Sequence, residues 1–158
     1  MFRLLVLLAG FGAAVPAVAE RCPQPVGWAA PERHAVAKVA NFRFALTTDS
    51  SHQLQLLPQD TVKLATAKGR NVGTRSFAGL AAIDVARAGT LDVLLSGRAY
   101  LDLVRNGKVL PSASHGRVEC AGIFKRVSFA VKPGRYTVQL TNSEARSIRF
   151  GTITKAGK

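Results

Sequence analysis

Apolar and polar residues alternate in short runs along most of this chain, and turn-forming residues cut the runs apart. Leu54 and Leu56 alternate with Gln53 and Gln55, and Phe42 and Phe44 flank Arg43. Val127, Phe129 and Val131 alternate with Arg126, Ser128 and Ala130. A period of two puts successive side chains on opposite faces, which predicts half-buried strands. Strands are therefore expected at 41–46, 52–57, 62–66, 77–85, 89–96, 124–131, 134–141 and 148–153, with a hairpin at 100–110. Asn106-Gly107 suits the type I′ turn of that hairpin, because both residues tolerate positive φ. Pro133-Gly134 suits the centre of a type II turn. Residues 111–122 read as a loop. Residues 32–40, with Ala35, Ala37 and Ala40 around Val36 and Val39, are the only helical candidate. The pattern predicts an all-β chain: an antiparallel β-sandwich or jelly roll of about eight to nine short strands, with at most one short N-terminal helix.

The N-terminus breaks this pattern. Arg3 precedes an apolar run from Leu4 to Val15, and Ala17-Val18-Ala19 has the small-x-small form of a cleavage site. The run is too short to span a bilayer. Residues 1–19 are thus expected to be a signal peptide cleaved after Ala19, residues 20–40 an N-terminal arm, and 41–158 one sandwich domain. Glu20 and Arg21 stand where a lipidation signal at Cys22 would need small apolar residues. The expected product is exported, to a periplasm or beyond, without a transmembrane segment. Two cysteines in an oxidising compartment predict one disulfide, Cys22 to Cys120, pinning the arm to the body. Trp28, in the arm, is expected to rest on the body.

Charge then narrows the partners. Lysine and arginine number 22 against 9 acids, a net charge of +13. Lys68, Arg70 and Arg75 share one glycine-bearing loop, and Arg117, Lys125 and Arg126 surround Cys120. Arg105 and Lys108 flank the Asn-Gly turn, and Arg146 and Arg149 follow. Such clusters attract polyanions, such as anionic lipid headgroups or lipopolysaccharide, in a salt-sensitive way. Export and the lack of an aromatic platform among these arginines disfavour nucleic acid. A solvated surface that blunts edge strands is the alternative use of the same charge.

Catalytic chemistry has fewer footholds. His115 lies four residues before Glu119, and these two could hold a metal with His52 or His34. No H-x-H or H-E-x-x-H spacing supports them. Ser112 and Ser114 neighbour His115, but a triad needs convergence in space, and no G-x-S-x-G is present.

Residues 98–110, Arg-Ala-Tyr-Leu-Asp-Leu-Val-Arg-Asn-Gly-Lys-Val-Leu, resemble the central hairpin of bacterial pre-peptidase C-terminal domains. Ala88-Gly89-Thr90-Leu91 and Lys132-Pro133-Gly134-Arg135-Tyr136-Thr137-Val138 resemble the flanking strands. The resemblance covers residues 77–154 and implies a jelly-roll module of a secreted protein. Some such domains hold calcium with paired aspartates. Asp102 matches one, and Tyr100 stands in place of its partner. The chain is also similar to short exported bacterial proteins with Leu91 to Val93, Tyr100 to Asp102, Ser114-His115, Cys120, Lys125 and Pro133 to Tyr136 in common. Some of those carry the label homogentisate dioxygenase, which implies an iron site of two histidines and a carboxylate. The expectation drawn from residues and resemblance together is an exported, non-catalytic β-sandwich that binds an envelope protein or an anionic surface. The alternative is a small metal-dependent enzyme centred on His115.

Overall fold

The computed structural model describes residues 22–66, 76–120 and 122–157. The expected signal peptide and the Lys68–Arg75 loop lie outside them. Eleven strands form two sheets: β1 (Glu32–Ala35), β2 (Ser51–Gln55), β3 (Leu57–Pro58), β4 (Phe77–Val85), β5 (Gly89–Leu95), β6 (Tyr100–Arg105), β7 (Lys108–Leu110), β8 (Ser114–Cys120), β9 (Ile123–Val131), β10 (Gly134–Ser143) and β11 (Ser147–Ala156). One sheet runs β1-β2-β11-β5-β9-β8 and the other β3-β4-β10-β6-β7. All strand pairs are antiparallel except β1 with β2. This is the β-sandwich that the alternation predicts.

The alternation works as expected at the centre. Leu91, Val93 and Leu95 of β5 meet Val127, Phe129 and Val131 of β9, and all are buried in one core with Leu103, Val138 and Phe150. Asn106 and Gly107 have φ of 50° and 72°, and Arg105 pairs with Lys108 across them, as a two-residue primed turn requires. Tyr136, 2% exposed, fastens the next turn. Its hydroxyl donates to Lys132 O at 2.9 Å and accepts from Lys132 N at 3.0 Å and Arg105 Nη1 at 3.1 Å.

Four local expectations fail, each for a tertiary reason. Residues 32–40 form no helix: 32–35 are the edge strand β1, which runs parallel to β2 from Glu32 opposite His52. Residues 41–46 form no strand. They arch over the edge of β4 and touch it at Leu46, whose N–H donates to Ala82 O at 2.8 Å. Residues 62–66 also lie outside any strand. Val62 and Leu64 instead cover Ala78 and Leu80 on the outer face of β4. Within the expected 111–122 loop, residues 114–120 are strand β8, paired with β9.

The arm straps the outer face of the six-stranded sheet. Cys22 is bonded to Cys120 at the end of β8, with Cα atoms 5.7 Å apart. Trp28, 4% exposed, sits on Leu94 and Ile123. Among the described residues, no helix is long and apolar enough to cross a membrane.

Candidate functional site

Strand β8 is the margin of its sheet, and His115, Gly116, Arg117 and Glu119 on it are all exposed. Its sequence, Ser-His-Gly-Arg-Val-Glu-Cys, has little to bury, because only β9 flanks it. Arg117 lies opposite Lys125 of β9, and Gly116 opposite Arg126. Three of the cations singled out from the sequence, Arg117, Lys125 and Arg126, therefore occupy neighbouring positions on one two-stranded ribbon. They do not play equal parts. Lys125 turns in to the end of the sandwich and donates from Nζ to Ala99 O. Arg117 lies over the Phe124 ring, its guanidinium carbon 4.6 Å from the centroid. Such stacking orients the guanidinium while leaving its edge open to an anion. Arg126 is exposed. Farther in on the same sheet, Arg149 lies 5.7 Å from the Trp28 ring centroid. Arginine–aromatic stacking thus occurs at two places on this sheet. It escaped the sequence because Trp28 and Arg149 are far apart along the chain.

The histidines part company. His115 is on β8, while His52 is on β2 and His34 on β1, at the opposite margin of the sheet. Four strand spacings, roughly 19 Å, separate β2 from β8. His115 and Glu119 are themselves four residues apart on an extended strand, about 13 Å. The set His115, Glu119 and His52 is not brought together. Among the described residues, no three His, Cys, Asp or Glu side chains form a group able to hold a metal ion. Asp102 is buried on β6 opposite Gln139, whose Nε2 donates to it at 3.2 Å.

The structure does unite His34 and His52. Their ring centroids are 4.9 Å apart, edge to face. His52 Nε2 is 3.0 Å from Thr47 O and 3.0 Å from Ser50 Oγ, so it carries a proton toward the carbonyl. Its Nδ1 is buried and makes no hydrogen bond. Burial, the largest influence, lowers the His52 pKa; the Thr47 carbonyl opposes this, His34 adds to it, Glu32 opposes it, and the net shift is down. Parallel pairing of β1 with β2 creates this contact, and no spacing in the sequence announced it. Compared with known protein families and with characterised proteins, the chain matches none of either.

Proposed function

We propose that this chain is an exported, non-catalytic β-sandwich that binds a polyanionic component of the cell envelope through the β8–β9 ribbon. The observation that carries this reading is the placing of Arg117 and Arg126 at adjacent register positions of a ribbon whose outer strand is exposed and, among the described residues, pairs with β9 alone. A planar guanidinium matches phosphate or carboxylate oxygens in a two-pronged way. The net charge of +13 adds long-range attraction. Lys68, Arg70 and Arg75 extend the cationic set in this reading. The apolar leader at residues 4–15, the Ala17-Val18-Ala19 site and the Cys22–Cys120 disulfide support export to a periplasm. The resemblance to pre-peptidase C-terminal domains points the same way, toward an accessory module of secreted proteins.

Heparin chromatography of the mature chain tests the reading, with vesicles of anionic phospholipid as the second arm. Wild-type protein is expected to bind both, and binding should weaken steadily with salt. Arg117→Ala/Arg126→Ala should elute at distinctly lower salt than Lys63→Ala/Arg87→Ala, a pair of exposed cations elsewhere that removes the same charge. Equal elution of the two variants would assign retention to net charge and overturn the ribbon. Absence of salt-sensitive retention would overturn polyanion binding altogether.

A further inference from the structure

The margin of the six-stranded sheet opposite the ribbon carries a second surface, and it mixes two kinds of side chain. β1 ends the sheet there, next to β2. After β1, residues 38–45 arch past the edge of β4 between two main-chain clamps. Ala37 N–H donates to Leu80 O at 2.7 Å with Leu80 N–H returning to Ala37 O at 3.2 Å, and Leu46 N–H donates to Ala82 O at 2.8 Å. Both ends of the arch are thus fixed on β4, and its apolar side chains divide between inside and outside. Phe42 packs inward with Val62, Ala78 and Leu80. Val39 and Phe44 stay outside, 47% and 57% exposed. The His34 ring lies beside Phe44, centroids 5.9 Å apart, and still leaves more than half of that residue open.

Apolar side chains exposed singly need no explanation. These are gathered. Among the described residues, four large apolar side chains stand exposed: Val26, Val39, Phe44 and Tyr100. Val39 and Phe44 share the arch, and Val26 lies farther along the same edge of β2, opposite Ser50. Tyr100, on β6 of the other sheet, is the exception. Cations are set among them. Lys38 immediately precedes Val39, Arg43 immediately precedes Phe44, and Arg33 lies on β1; all three are exposed. Glu32 is the one acid in residues 30–46.

We propose that this margin docks on an anionic phospholipid bilayer. Phe44 and Val39 enter the boundary between headgroups and acyl chains, and Arg33, Lys38 and Arg43 stay at the level of the phosphates. Aromatic rings favour that boundary, and long basic side chains lie along it with their charge in water. Each such cation strengthens partition to an anionic surface about fivefold. A second copy of the chain is a poorer occupant, because a two-fold contact would set these cations against themselves. The docking does not depend on the ribbon, which occupies the opposite margin.

The full mature chain carrying Phe44→Trp tests this with vesicles of equal parts phosphatidylglycerol and phosphatidylcholine that have brominated acyl chains. Native Trp28 is buried under the arm, so the wild-type chain supplies the unquenched baseline. The introduced indole is expected to shift to the blue and to be quenched. Half-quenching should need about tenfold more lipid, or higher still, on phosphatidylcholine alone. Phe44→Ser should weaken co-sedimentation with the mixed vesicles about tenfold, the scale for withdrawing one phenyl group from an apolar phase. Its elution from heparin should not change, because heparin offers no apolar phase. An unquenched indole on vesicles that do bind the chain would overturn the docking and leave the ribbon as the lipid contact. Quenching in a chain that heparin does not retain would support the docking and overturn the ribbon alone. Equal quenching by neutral vesicles would overturn the choice of an anionic surface. Absence of wild-type binding to any of these vesicles would overturn the docking outright.

Discussion

His34 and His52 stand edge to face, 4.9 Å between ring centroids, because parallel pairing, found among the described strands only here, brings β1 against β2. His52 is 3% exposed and faces His34 and Glu32 from β1, Thr47 and Ser50 ahead of β2, and Phe150 from β11. Its folded pKa lies below the ordinary 6.5. The unfolded chain therefore binds this proton at a higher pH than the folded one. Stability is fully present above pH 6.5 and is lost as pH falls through the lowered folded value, by at most about 1.4 kcal/mol per pH unit. Urea midpoints should fall between pH 7.5 and 5.5. His52→Gln should flatten that slope. Equal slopes for wild type and His52→Gln would sink the assignment.

Asp92 gives a second prediction, with an asymmetry. Its side chain is 3% exposed, yet it lies on the outer face of the six-stranded sheet. Ser128 Oγ donates to Oδ1 at 2.6 Å, and Lys155 Nζ is 2.7 Å from Oδ2. Burial alone pushes this carboxyl up, but the hydrogen bonds from Lys155 and Ser128 outweigh it, and the net shift is down. The two ends of the pair differ, because Lys155 is 56% exposed and can return to water. Lys155→Met strands a buried carboxylate and should lower stability at pH 7 by about 3 kcal/mol, the low end for breaking a buried pair. Adding Asp92→Asn should recover much of this loss. If chemical denaturation finds the double variant less stable than Lys155→Met, the stranded charge is not the cause.

The legible parts of this fold were those where one face of a strand meets the core. The alternation through β5, β9 and β10 and the Asn106-Gly107 turn come straight from the residues. The illegible parts are segments whose partners are far away in sequence or cover a second face. Residues 114–120 hold only Val118 and Cys120 as even half-buried groups, so β8 carries no hydrophobic rhythm; its pairing with β9 alone makes it a strand. Phe42 and Phe44 alternate like a strand, yet one lies against the outer face of β4 and the other stands in solvent. The candidate sites divide in the same way. Arg117, Lys125 and Arg126 are close in sequence around a tight hairpin, and the structure gathers them. His34 and His52 meet only through the pairing of β1 with β2, which no local spacing encodes.

The disulfide yields a third prediction with its own reporter. Trp28 is the only tryptophan in the chain, and it is buried on Leu94 and Ile123 by the arm that Cys22 anchors. The bond closes a loop with a sequence separation of 98. A loop of that length is associated with about 4–5 kcal/mol of chain entropy in the unfolded state. Cys22→Ser/Cys120→Ser should lose a large part of this. Its Trp28 emission should shift to the red at denaturant concentrations where the core strands, followed by circular dichroism, remain folded. Coincident loss of both signals would mean that the arm and sandwich unfold as one unit, against a separately tethered strap.

Gly79 and Val36 yield the last prediction, and it bears on how the chain after β1 seats on β4. A Cβ added at Gly79 would stand 2.6 Å from Val36 Cβ, which leaves no room for it. Gly79 thus lets residues 36–37 lie directly on β4 and make the Ala37–Leu80 clamp. Gly79→Ala should destabilise the chain by about 1–3 kcal/mol, the usual range for overpacking. The second change, Val36→Ala, removes Cγ1 and Cγ2, two of the three atoms that the new methyl strikes. If contact is the cause, the two changes are non-additive, and the double variant should be more stable than Gly79→Ala alone. Thermal melts of the four chains in this cycle measure the coupling. A sum of independent losses would place the strain of Gly79→Ala in β4 itself and leave the seating of β1 on β4 without its glycine.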